Sequence, residues 1–237
     1  MLSLKKENKF NTSYSDALVR YTYSMKTNNR LITIGDIHGN IEKLNELLKQ
    51  LAPQKDDTIV FLGDYIDRGL NSKDVIDCLI KLSKKTNCIF LKGNHEDLLL
   101  KALETRTEND VLNWLIAGGG TTIDSYEKIE NIFKLHSNFF DKLKPYYLTE
   151  KYLFVHAGIN PNKTLEEQDE DDLLWIRDNF IYKKHKLKQK IIFGHTPFTK
   201  PYLDDDKIGI NTCCGNGPDD YITALICDEE YFIISEV

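Results

Sequence analysis

Aspartate, asparagine and histidine residues cluster with glycine in five short segments of this 237-residue chain. The segments hold seven of the 13 glycines and four of the six histidines, so both residue types are concentrated in a small part of the sequence. In chain order they are Gly35-Asp36-Ile37-His38-Gly39, Gly63-Asp64-Tyr65-Ile66-Asp67-Arg68-Gly69, Gly93-Asn94-His95-Glu96, His156-Ala157-Gly158 and Gly194-His195-Thr196-Pro197. Glycine allows a backbone to turn sharply or to approach a ligand closely. Each segment could therefore present its polar side chains to a bound group.

Six of these polar side chains form a set that is typical of metal ligands: Asp36, His38, Asp64, Asn94, His156 and His195. Carboxylates combined with imidazoles suit manganese, iron or zinc better than calcium or magnesium, which prefer oxygen ligands alone. Six ligands exceed the four of a tetrahedral zinc ion, but they suit two ions that share a bridging carboxylate. Two ions about 3.5–4 Å apart can act together on a displacement at phosphorus. The sequence therefore predicts two divalent metal ions per chain, with manganese expected and iron or zinc as the alternatives.

Each segment taken alone has a simpler interpretation, because Asp-Ile-His is usually a turn and Asp67 beside Arg68 is usually a surface ion pair. The common position of the five segments along the chain favours a functional site instead. Each segment follows an apolar run that predicts a β-strand. The predicted strands are Leu31–Ile34, Thr58–Leu62, Cys88–Leu91, Tyr152–Val155 and Ile191–Phe193. Ligands of open α/β sheets bind beyond the C-terminal ends of the strands, so the five segments are expected to converge.

Helical patterns alternate with these strands, which is typical of an α/β fold. Apolar residues at helical spacing predict helices over residues 41–51 and 72–84, and helical patterns dominate residues 95–143. The triple glycine Gly118–Gly120 is expected to interrupt this last region, with Thr121 as the N-cap of the helix that follows.

The remaining patterns define the domain organisation. Residues 1–29 are predicted to be an N-terminal extension with a short helix that docks on the rest of the chain. Residues 30–237 are predicted to form one catalytic domain. Three further strands are predicted near the C-terminus, over Ile208–Ile210, Tyr221–Cys227 and Tyr231–Ile234.

Both tryptophans and two of the six histidines lie outside the motifs. Trp114 and Trp175 are expected to pack in the core or near the site. His136 and His185 belong to no motif and are expected at the surface.

The composition narrows the class of protein. Apolar residues make up 41% and charged residues 29% of the chain, which is typical of a globular protein. No apolar run approaches 18 residues and no signal-peptide pattern is present, so neither a membrane span nor secretion is expected. Five cysteines without metal-ligand spacing fit reduced thiols, and the predicted compartment is the cytoplasm. A net charge of −6 disfavours nucleic acid as the main partner.

The ordered motifs GDIHG, GDYIDRG, GNHE, HAG and GHTP resemble those of the metallophosphoesterase superfamily. More narrowly, residues 31–236 resemble the bacterial and phage serine/threonine phosphatases of the phosphoprotein phosphatase (PPP) family. The motifs GDYIDRG and GNHE are highly specific. The resemblance implies a calcineurin-like fold, in which two β-sheets form a sandwich flanked by helices, with a two-metal site at the C-terminal strand ends.

The resemblance also implies a role for each metal ligand. Asp36 and His38 correspond to ligands of the first ion, and Asp64 corresponds to the carboxylate that bridges both ions. The ligands of the second ion correspond to Asn94, His156 and His195.

Four further residues match the catalytic and substrate-binding positions of the family. His95 matches the general acid, and Asp67 matches the carboxylate that orients it. An imidazolium beside a carboxylate keeps its proton and can donate it to a departing alkoxide. Arg68 matches the first phosphate-binding arginine, Arg177 matches the second, and Asn94 would also contact the phosphate. A planar guanidinium fits phosphate oxygens well.

Three points qualify this match. The alternative for Arg177 is a surface ion pair with Asp178. In GHTP, Thr196-Pro197 follows His195, whereas other metallophosphoesterases often carry a second histidine two places after the first. The Thr-Pro sequence is the PPP pattern. Near the C-terminus the family commonly has Asp-Thr-Gly, whereas this chain has Asn211-Thr212-Cys213-Cys214, which leaves the shape of the substrate rim open.

The predicted function is a two-metal phosphomonoesterase that dephosphorylates phosphoserine and phosphothreonine in proteins, so a phosphoprotein or phosphopeptide is the expected partner. The resemblance implies direct in-line attack by a hydroxide that bridges the two metals. The main alternative is a symmetrical dinucleoside-tetraphosphate hydrolase or another small phosphoester hydrolase, although the former usually has Asn for Asp67 and Asp for Glu96. A nuclease is disfavoured by the acidic balance, and an inactive binding module by the complete set of site residues.

Overall fold

The computed structural model describes residues 29–212, 217 and 220–235. Within them, two five-stranded β-sheets pack together with helices on their outer faces, which confirms the predicted sandwich. The predicted N-terminal helix and the Cys213-Cys214 pair lie outside the described residues, and the domain boundary at residue 30 stays a prediction. No helix of the described ranges is long and apolar enough to cross a membrane.

The first sheet has the order β10-β9-β1-β2-β3. Strands β1 (Leu31–Ile34), β2 (Thr58–Phe61) and β3 (Asn87–Phe90) are parallel to one another. The strand β9 (Thr223–Ile226) pairs antiparallel with β1, and β10 (Tyr231–Ile234) pairs antiparallel with β9. The three parallel strands therefore end at the same edge.

The second sheet has the order β4-β5-β6-β8-β7. Its central strands β5 (Tyr152–Val155), β6 (Lys190–Phe193) and β8 (Lys207–Gly209) are parallel. The edge strands β4 (Tyr146–Leu148) and β7 (Tyr202–Leu203) are antiparallel to their neighbours. This sheet also brings its parallel strands to a common edge.

Alternating side chains of the strands build two different apolar layers, as expected for a sheet with both faces covered. Along β2, Ile59 and Phe61 pack against the helices of the first sheet. Val60 and the following Leu62 pack between the sheets, where they share a cluster with Phe154 of β5. The sheet-to-sheet contact fixes the two strand edges relative to each other.

In the part of the chain that the structure describes, eight α-helices cover the outer faces. Buried side chains place the first six against the first sheet and the last two against the second. They are α1 (Ile41–Leu51), α2 (Ser72–Ser83), α3 (Asn94–Thr105), α4 (Glu108–Trp114), α5 (Gly120–Ser125), α6 (Ile129–Phe140), α7 (Glu170–Trp175) and α8 (Asp178–Ile181).

The predicted interruption at the triple glycine is confirmed. A π-helical segment, Leu115–Gly119, joins α4 to α5, and Gly118 breaks the helical path with a φ of 115°. The predicted N-cap role of Thr121 is wrong, because Gly119 occupies that position and Thr121 lies inside α5. The Thr121 hydroxyl instead donates to the Gly118 carbonyl at 3.0 Å, the backward bond that a threonine within a helix can make.

The prediction that His136 and His185 lie at the surface is also wrong. His136 is buried, with Nδ1 2.6 Å from the Tyr126 hydroxyl and Nε2 3.1 Å from the Asp77 carboxylate. The His185 side chain is 1% exposed, with Nε2 3.2 Å from the Asp206 carbonyl oxygen. Partners for both ring nitrogens allow His136 to be buried, and absence from a motif says nothing about this.

Candidate metal centre

Five loops that follow β1, β2, β3, β5 and β6 meet where the two sheet edges lie together. Each loop contributes at least one of the predicted metal ligands, and all six are at most 5% exposed: Asp36, His38, Asp64, Asn94, His156 and His195. The predicted convergence at the C-terminal strand ends is therefore present in the structure. So many buried polar groups need partners in one another, in the backbone or in a bound ion.

The backbone of these loops is held in an unusual conformation. Ten non-glycine residues of the described ranges have a positive φ, and five of them belong to the predicted site: His38, Asp64, Asp67, Arg68 and His195. Their φ values lie between 47° and 68°. The left-handed conformation costs a non-glycine residue on the order of 1 kcal/mol and persists only where the surroundings impose it.

The Glu96 carboxylate imposes part of that conformation. It accepts the backbone N–H groups of Asp64 at 2.8 Å, Tyr65 at 2.8 Å and Gly93 at 3.0 Å. Glu96 is the third residue of α3, so its bond to Gly93 also caps that helix. Sequence reasoning gave Glu96 no structural role, although a glutamate three residues after a helix-starting glycine is a recognisable signal.

The loop after β1 lies directly on the loop after β2. The backbone N–H of His38 donates to the Asp64 carbonyl at 2.9 Å, and that of Gly69 donates to the His38 carbonyl at 3.1 Å. A Cβ atom at position 69 would lie 2.1 Å from that carbonyl oxygen, so only glycine permits the approach. The motif glycine thereby brings His38 and Asp64 together.

Three donor atoms of the predicted second metal site face one another. Oδ1 of Asn94 lies 2.9 Å from Nε2 of His156 and 2.9 Å from Nδ1 of His195. Nδ1 of His156 lies 2.8 Å from the Leu62 carbonyl, so it carries the ring proton and leaves a lone pair on Nε2. That lone pair therefore faces an amide oxygen, which has no proton to offer.

Acceptors that face each other at this distance suit a cation. Ligands about 2.1 Å from an octahedral ion lie roughly 3 Å apart, close to the separations at Asn94. A carbonyl that holds the second imidazole nitrogen of a ligand is also usual at metal sites. The donor set at Asn94, His156 and His195 therefore fits a divalent metal ion.

Asp64 lies between the two predicted metal sites. Oδ2 lies 3.5 Å from Nε2 of His38, and Oδ1 lies 3.5 Å from Nε2 of His156. Nδ1 of His38 lies 3.1 Å from the Ile66 carbonyl, which again leaves the Nε2 lone pair facing a carboxylate oxygen. Each oxygen of Asp64 thus faces one imidazole, the arrangement that a bridging ligand requires.

The electrostatics suit metal binding, which needs neutral imidazoles and an ionised carboxylate. Burial lowers the pKa of His38 to about 3, and burial with the charge of His156 lowers the pKa of His195 to about 3. Burial also lowers the pKa of His156. Burial would raise the pKa of Asp64, but the surrounding histidines lower it below its usual value.

Asp36 occupies a different position from the other ligands. Within the described residues, two groups of His and Asp donor atoms lie within 4.8 Å of one another and share Asp64: His38, Asp64 and His95, and Asp64, His156 and His195. Asp36 belongs to neither group. Its two oxygens each lie 3.2 Å from the backbone N–H of His195, whose carbonyl accepts the Asn211 side chain at 2.9 Å. Its predicted role at the first metal stays a prediction.

His95 and Asp67 form a buried pair beside Asp64. Nδ1 of His95 lies 2.8 Å from Oδ2 of Asp67. Burial alone would lower the pKa of His95, but the charge of Asp64 and the hydrogen bond with Asp67 raise it above its ordinary value. The raised pKa favours the imidazolium, the form that can donate a proton.

Two residues that sequence reasoning did not assign to the site hold Asp67. The Trp114 indole N–H lies 3.1 Å from both Asp67 carboxylate oxygens, and the Thr122 hydroxyl donates to Oδ1 at 2.6 Å. Trp114 was expected only as a packing residue, and Thr122 carried no signal. In the sequence, only the triple glycine between Trp114 and Thr122 distinguished this region.

The Arg68 guanidinium lies between two site histidines. One terminal nitrogen is 3.1 Å from Nε2 of His38, and the other is 3.0 Å from Nε2 of His95. Arg68 therefore reaches the space between His38, a predicted ligand of the first metal, and His95, the predicted general acid.

Arg177 lies on the side of the second ligand group. Its side chain is exposed, and no ion pair joins it to Asp178 in the described part of the chain. Burial is the main reason for the low pKa values of His156 and His195, and the charge of Arg177 contributes to both. Trp175, at 40% exposure, has its ring centroid 6.0 Å from that of His195. The predicted near-site packing of Trp175 is confirmed.

Comparisons with known proteins identify similar sequences. The family model of the calcineurin-like phosphoesterases matches residues 30–224. Serine/threonine-protein phosphatase 2 of Escherichia coli is 31% identical over 198 residues, which cover 76% of this chain and 85% of that protein. The asymmetrical bis(5'-nucleosyl)-tetraphosphatase PrpE of Oceanobacillus iheyensis is 30% identical over 232 residues, which cover 84% and 89% of the two chains.

A similar fold occurs among solved structures. A crystal structure described as that of a candidate diadenosine tetraphosphatase superposes with a TM-score of 0.67 at 20% identity. The match covers 88% of this chain and 94% of the other. At this identity the likeness concerns the fold alone.

Proposed function

Because this chain belongs to the calcineurin-like phosphoesterase family, we propose that it is a two-metal phosphomonoesterase that dephosphorylates phosphoserine and phosphothreonine residues of proteins. The observation that carries the proposal is the buried pair of His95 and Asp67 beside Asp64. Serine and threonine alkoxides are poor leaving groups and need a proton as the P–O bond breaks. An imidazole whose pKa is raised by the charge of Asp64 and the hydrogen bond with Asp67 can supply that proton.

Metal ions are part of the proposal. The first ion would be held by Asp36 and His38, with Asp64 shared, and the second by the remaining ligands Asn94, His156 and His195. When bound, two such ions lower the pKa of water and offset negative charge at phosphorus. Manganese and a cytoplasmic location remain predictions from the sequence.

The two arginines and Asn94 would bind the phosphoryl group. Arg68 reaches the space between His38 and His95, and Arg177 contributes positive charge at His156 and His195. A phosphate that enters from the exposed side of Arg177 would meet a guanidinium on each side. Charge-assisted hydrogen bonds of this kind orient the phosphorus toward His95 as well as binding the anion.

A second candidate function rests on a specific observation. A relative that is 30% identical over most of this chain is named an asymmetrical bis(5'-nucleosyl)-tetraphosphatase. The same site would then cleave a phosphoanhydride, whose phosphate leaving group departs more easily than an alkoxide.

A side-by-side assay distinguishes the two functions. The purified protein with Mn²⁺ would be given a phosphoserine peptide, a phosphothreonine peptide and diadenosine tetraphosphate, and kcat/KM measured for each. We expect kcat/KM to be at least about tenfold higher for one or both phosphopeptides, because a residue such as His95 is needed for alkoxide leaving groups. The variant Asp64→Asn, prepared in parallel, controls for contaminating phosphatases. A preference for diadenosine tetraphosphate would contradict the proposal and favour the second candidate.

A further inference from the structure

The Asp67 carboxylate is fully buried and has a donor in three directions. Oδ1 accepts the Thr122 hydroxyl at 2.6 Å, and Oδ2 lies 2.8 Å from Nδ1 of His95. The Trp114 N–H lies 3.1 Å from both oxygens. The carboxylate therefore cannot rotate without breaking a bond to a buried donor, and a buried donor left without its partner costs about 1–3 kcal/mol.

The two donors outside the catalytic pair come from opposite sides of the triple glycine. Trp114 ends α4 and Thr122 lies in α5, eight residues later. Along a straight α-helix these positions would be about 12 Å apart, at 1.5 Å per residue. Two donors so far apart along one axis could not reach the same carboxylate.

The break at Gly118 removes this obstacle. Its φ of 115° redirects the chain between the two helices. The next residue, Gly119, lies against the indole, and a Cβ there would be 2.4 Å from a ring carbon of Trp114. The glycines thus allow the backbone to fold closely around the tryptophan while Thr122 turns toward Asp67.

From this arrangement we propose that Thr122 and Trp114 are positioning residues for proton donation: they hold the Asp67 carboxylate so that Oδ2 faces Nδ1 of His95. The proposal rests on the proposed general-acid role of His95. Among the described residues, the hydrogen bonds of these two side chains go to Asp67 and, for Thr122, also to the Ser72 hydroxyl, so we expect each to act through Asp67. The triple glycine brings both donors to one carboxylate, and the Gly118 carbonyl also accepts the Arg68 backbone N–H at 3.3 Å.

The isosteric variant Thr122→Val tests this inference, because it removes the hydroxyl and keeps the side-chain volume. Thr122→Ser should restore the hydroxyl and the activity. Ser125→Ala is the matched control, since this hydroxyl lies one turn along the same helix and bonds to the Thr122 carbonyl and the Lys73 N–H rather than to Asp67.

The readout is kcat on two aryl phosphates, phenyl phosphate with the poorer leaving group and p-nitrophenyl phosphate with the better one. We expect Thr122→Val to lower kcat on phenyl phosphate by about 10- to 100-fold, the range for a misplaced catalytic group. The loss on p-nitrophenyl phosphate should be distinctly smaller, with KM and metal content close to wild type. Equal losses on the two substrates would overturn the inference, because they indicate a general structural defect.

A double variant separates positioning from folding. In a His95→Asn background, Thr122→Val should cause no further loss on phenyl phosphate, because its effect passes through His95. If the double variant instead lost kcat by the product of the two single-variant factors, the proposal would be overturned. If Thr122→Val does not fold, Trp114→Phe tests the proposal by the same measurements. This variant removes the indole N–H and keeps an aromatic ring.

The outcome is independent of the natural substrate, because both test compounds are simple aryl phosphates. If His95→Asn itself shows no bias toward the poorer leaving group, the general-acid role in the proposed function fails. If His95→Asn shows the bias and neither Thr122→Val nor Trp114→Phe does, only the positioning role fails.

Discussion

Nδ1 of His95 lies 2.8 Å from Oδ2 of Asp67, and both side chains are buried, at 2% and 0% exposure. A charged pair in such a place is expensive to bury unless each member satisfies the other. Oδ2 of Asp67 accepts the Nδ1 proton of His95, and the imidazole thereby gives the carboxylate one of its three donors. In the proposed function, this pair would supply the proton that the leaving group takes.

Replacement of the acid should depend on the leaving group. We expect His95→Asn to lower kcat on a phosphoserine peptide by about 10²–10⁴-fold, the usual contribution of general acid–base catalysis. The loss on p-nitrophenyl phosphate should be distinctly smaller, because p-nitrophenolate departs without a proton. Metal content, measured by elemental analysis, should not change. An equal loss on both substrates would mean that His95 acts in binding instead.

Removal of the metal ions should abolish activity. We expect a strong chelator to inactivate the protein and Mn²⁺ to restore it, since the site contains no side-chain nucleophile in the proposed reaction. Asp64→Asn should bind neither ion firmly, whereas His38→Asn should lose mainly one, because only Asp64 faces both ligand groups. Metal counting per chain checks this, with Asp67→Asn as a control that keeps both ions. Two retained ions in Asp64→Asn would contradict the bridging role.

The exposed arginine near the second ligand group should matter for phosphate affinity. We expect Arg177→Gln to raise the inhibition constant of inorganic phosphate about 10- to 100-fold, since a charge-assisted hydrogen bond contributes about 1.5–3 kcal/mol. The matched control is Arg106→Gln, because Arg106 follows the far end of α3, a helix of 12 residues that begins at Asn94. If Arg177→Gln binds phosphate like the wild type, the second phosphate contact lies elsewhere.

Neighbouring glycines in the triple glycine should respond differently to alanine. Gly118 has a φ of 115°, and a Cβ there would lie 2.9 Å from the Arg68 backbone nitrogen. We therefore expect Gly118→Ala to destabilise the protein by about 1–3 kcal/mol and to lower kcat on phenyl phosphate. Gly120 lies in α5 with open space around it, so Gly120→Ala should leave activity unchanged and raise stability by up to about 1 kcal/mol. Urea denaturation measures both variants, and equal effects would be inconsistent with the kink.

Acidification should weaken the fold through His136. Burial lowers the pKa of His136 below its ordinary value, and the bond to Asp77 only partly offsets this. The unfolded chain therefore binds a proton more readily than the folded one, and stability falls as the pH drops below the unfolded value of about 6.5. The Tyr126 hydroxyl, Asp77 and Lys73 are the groups that act on this ring.

The midpoint of urea unfolding at pH 7.5 and at pH 5.5 tests this expectation. Wild type should lose more stability between the two values than His136→Asn, which cannot titrate. Acid-dependent loss of metal affects both proteins alike and cancels in the difference. An identical loss in the two proteins would show that His136 does not contribute.

The sequence by itself indicated eight of the ten strands of the described residues and the chemistry of the ligand set. Strands such as Leu31–Ile34 and Tyr152–Val155 were visible because buried parallel strands are continuous apolar runs. The motifs follow these strands at once, so local order along the chain was enough to place Asp36, Asp64 and His156 at strand ends. The family resemblance then supplied roles that no spacing contains.

Only the tertiary structure decided which groups hydrogen-bond to Asp67, and that the Asp36 carboxylate lies against the backbone N–H of His195. Trp114 and Thr122 are 47 and 55 positions from Asp67, and their approach depends on the packing of α4 and α5 against the first sheet. Local periodicity describes which face of a helix is apolar, but not which polar atom it meets across the core. The same limit hid the burial of His136, since hydrogen bonds to distant partners cover a polar ring that the sequence shows only as polar.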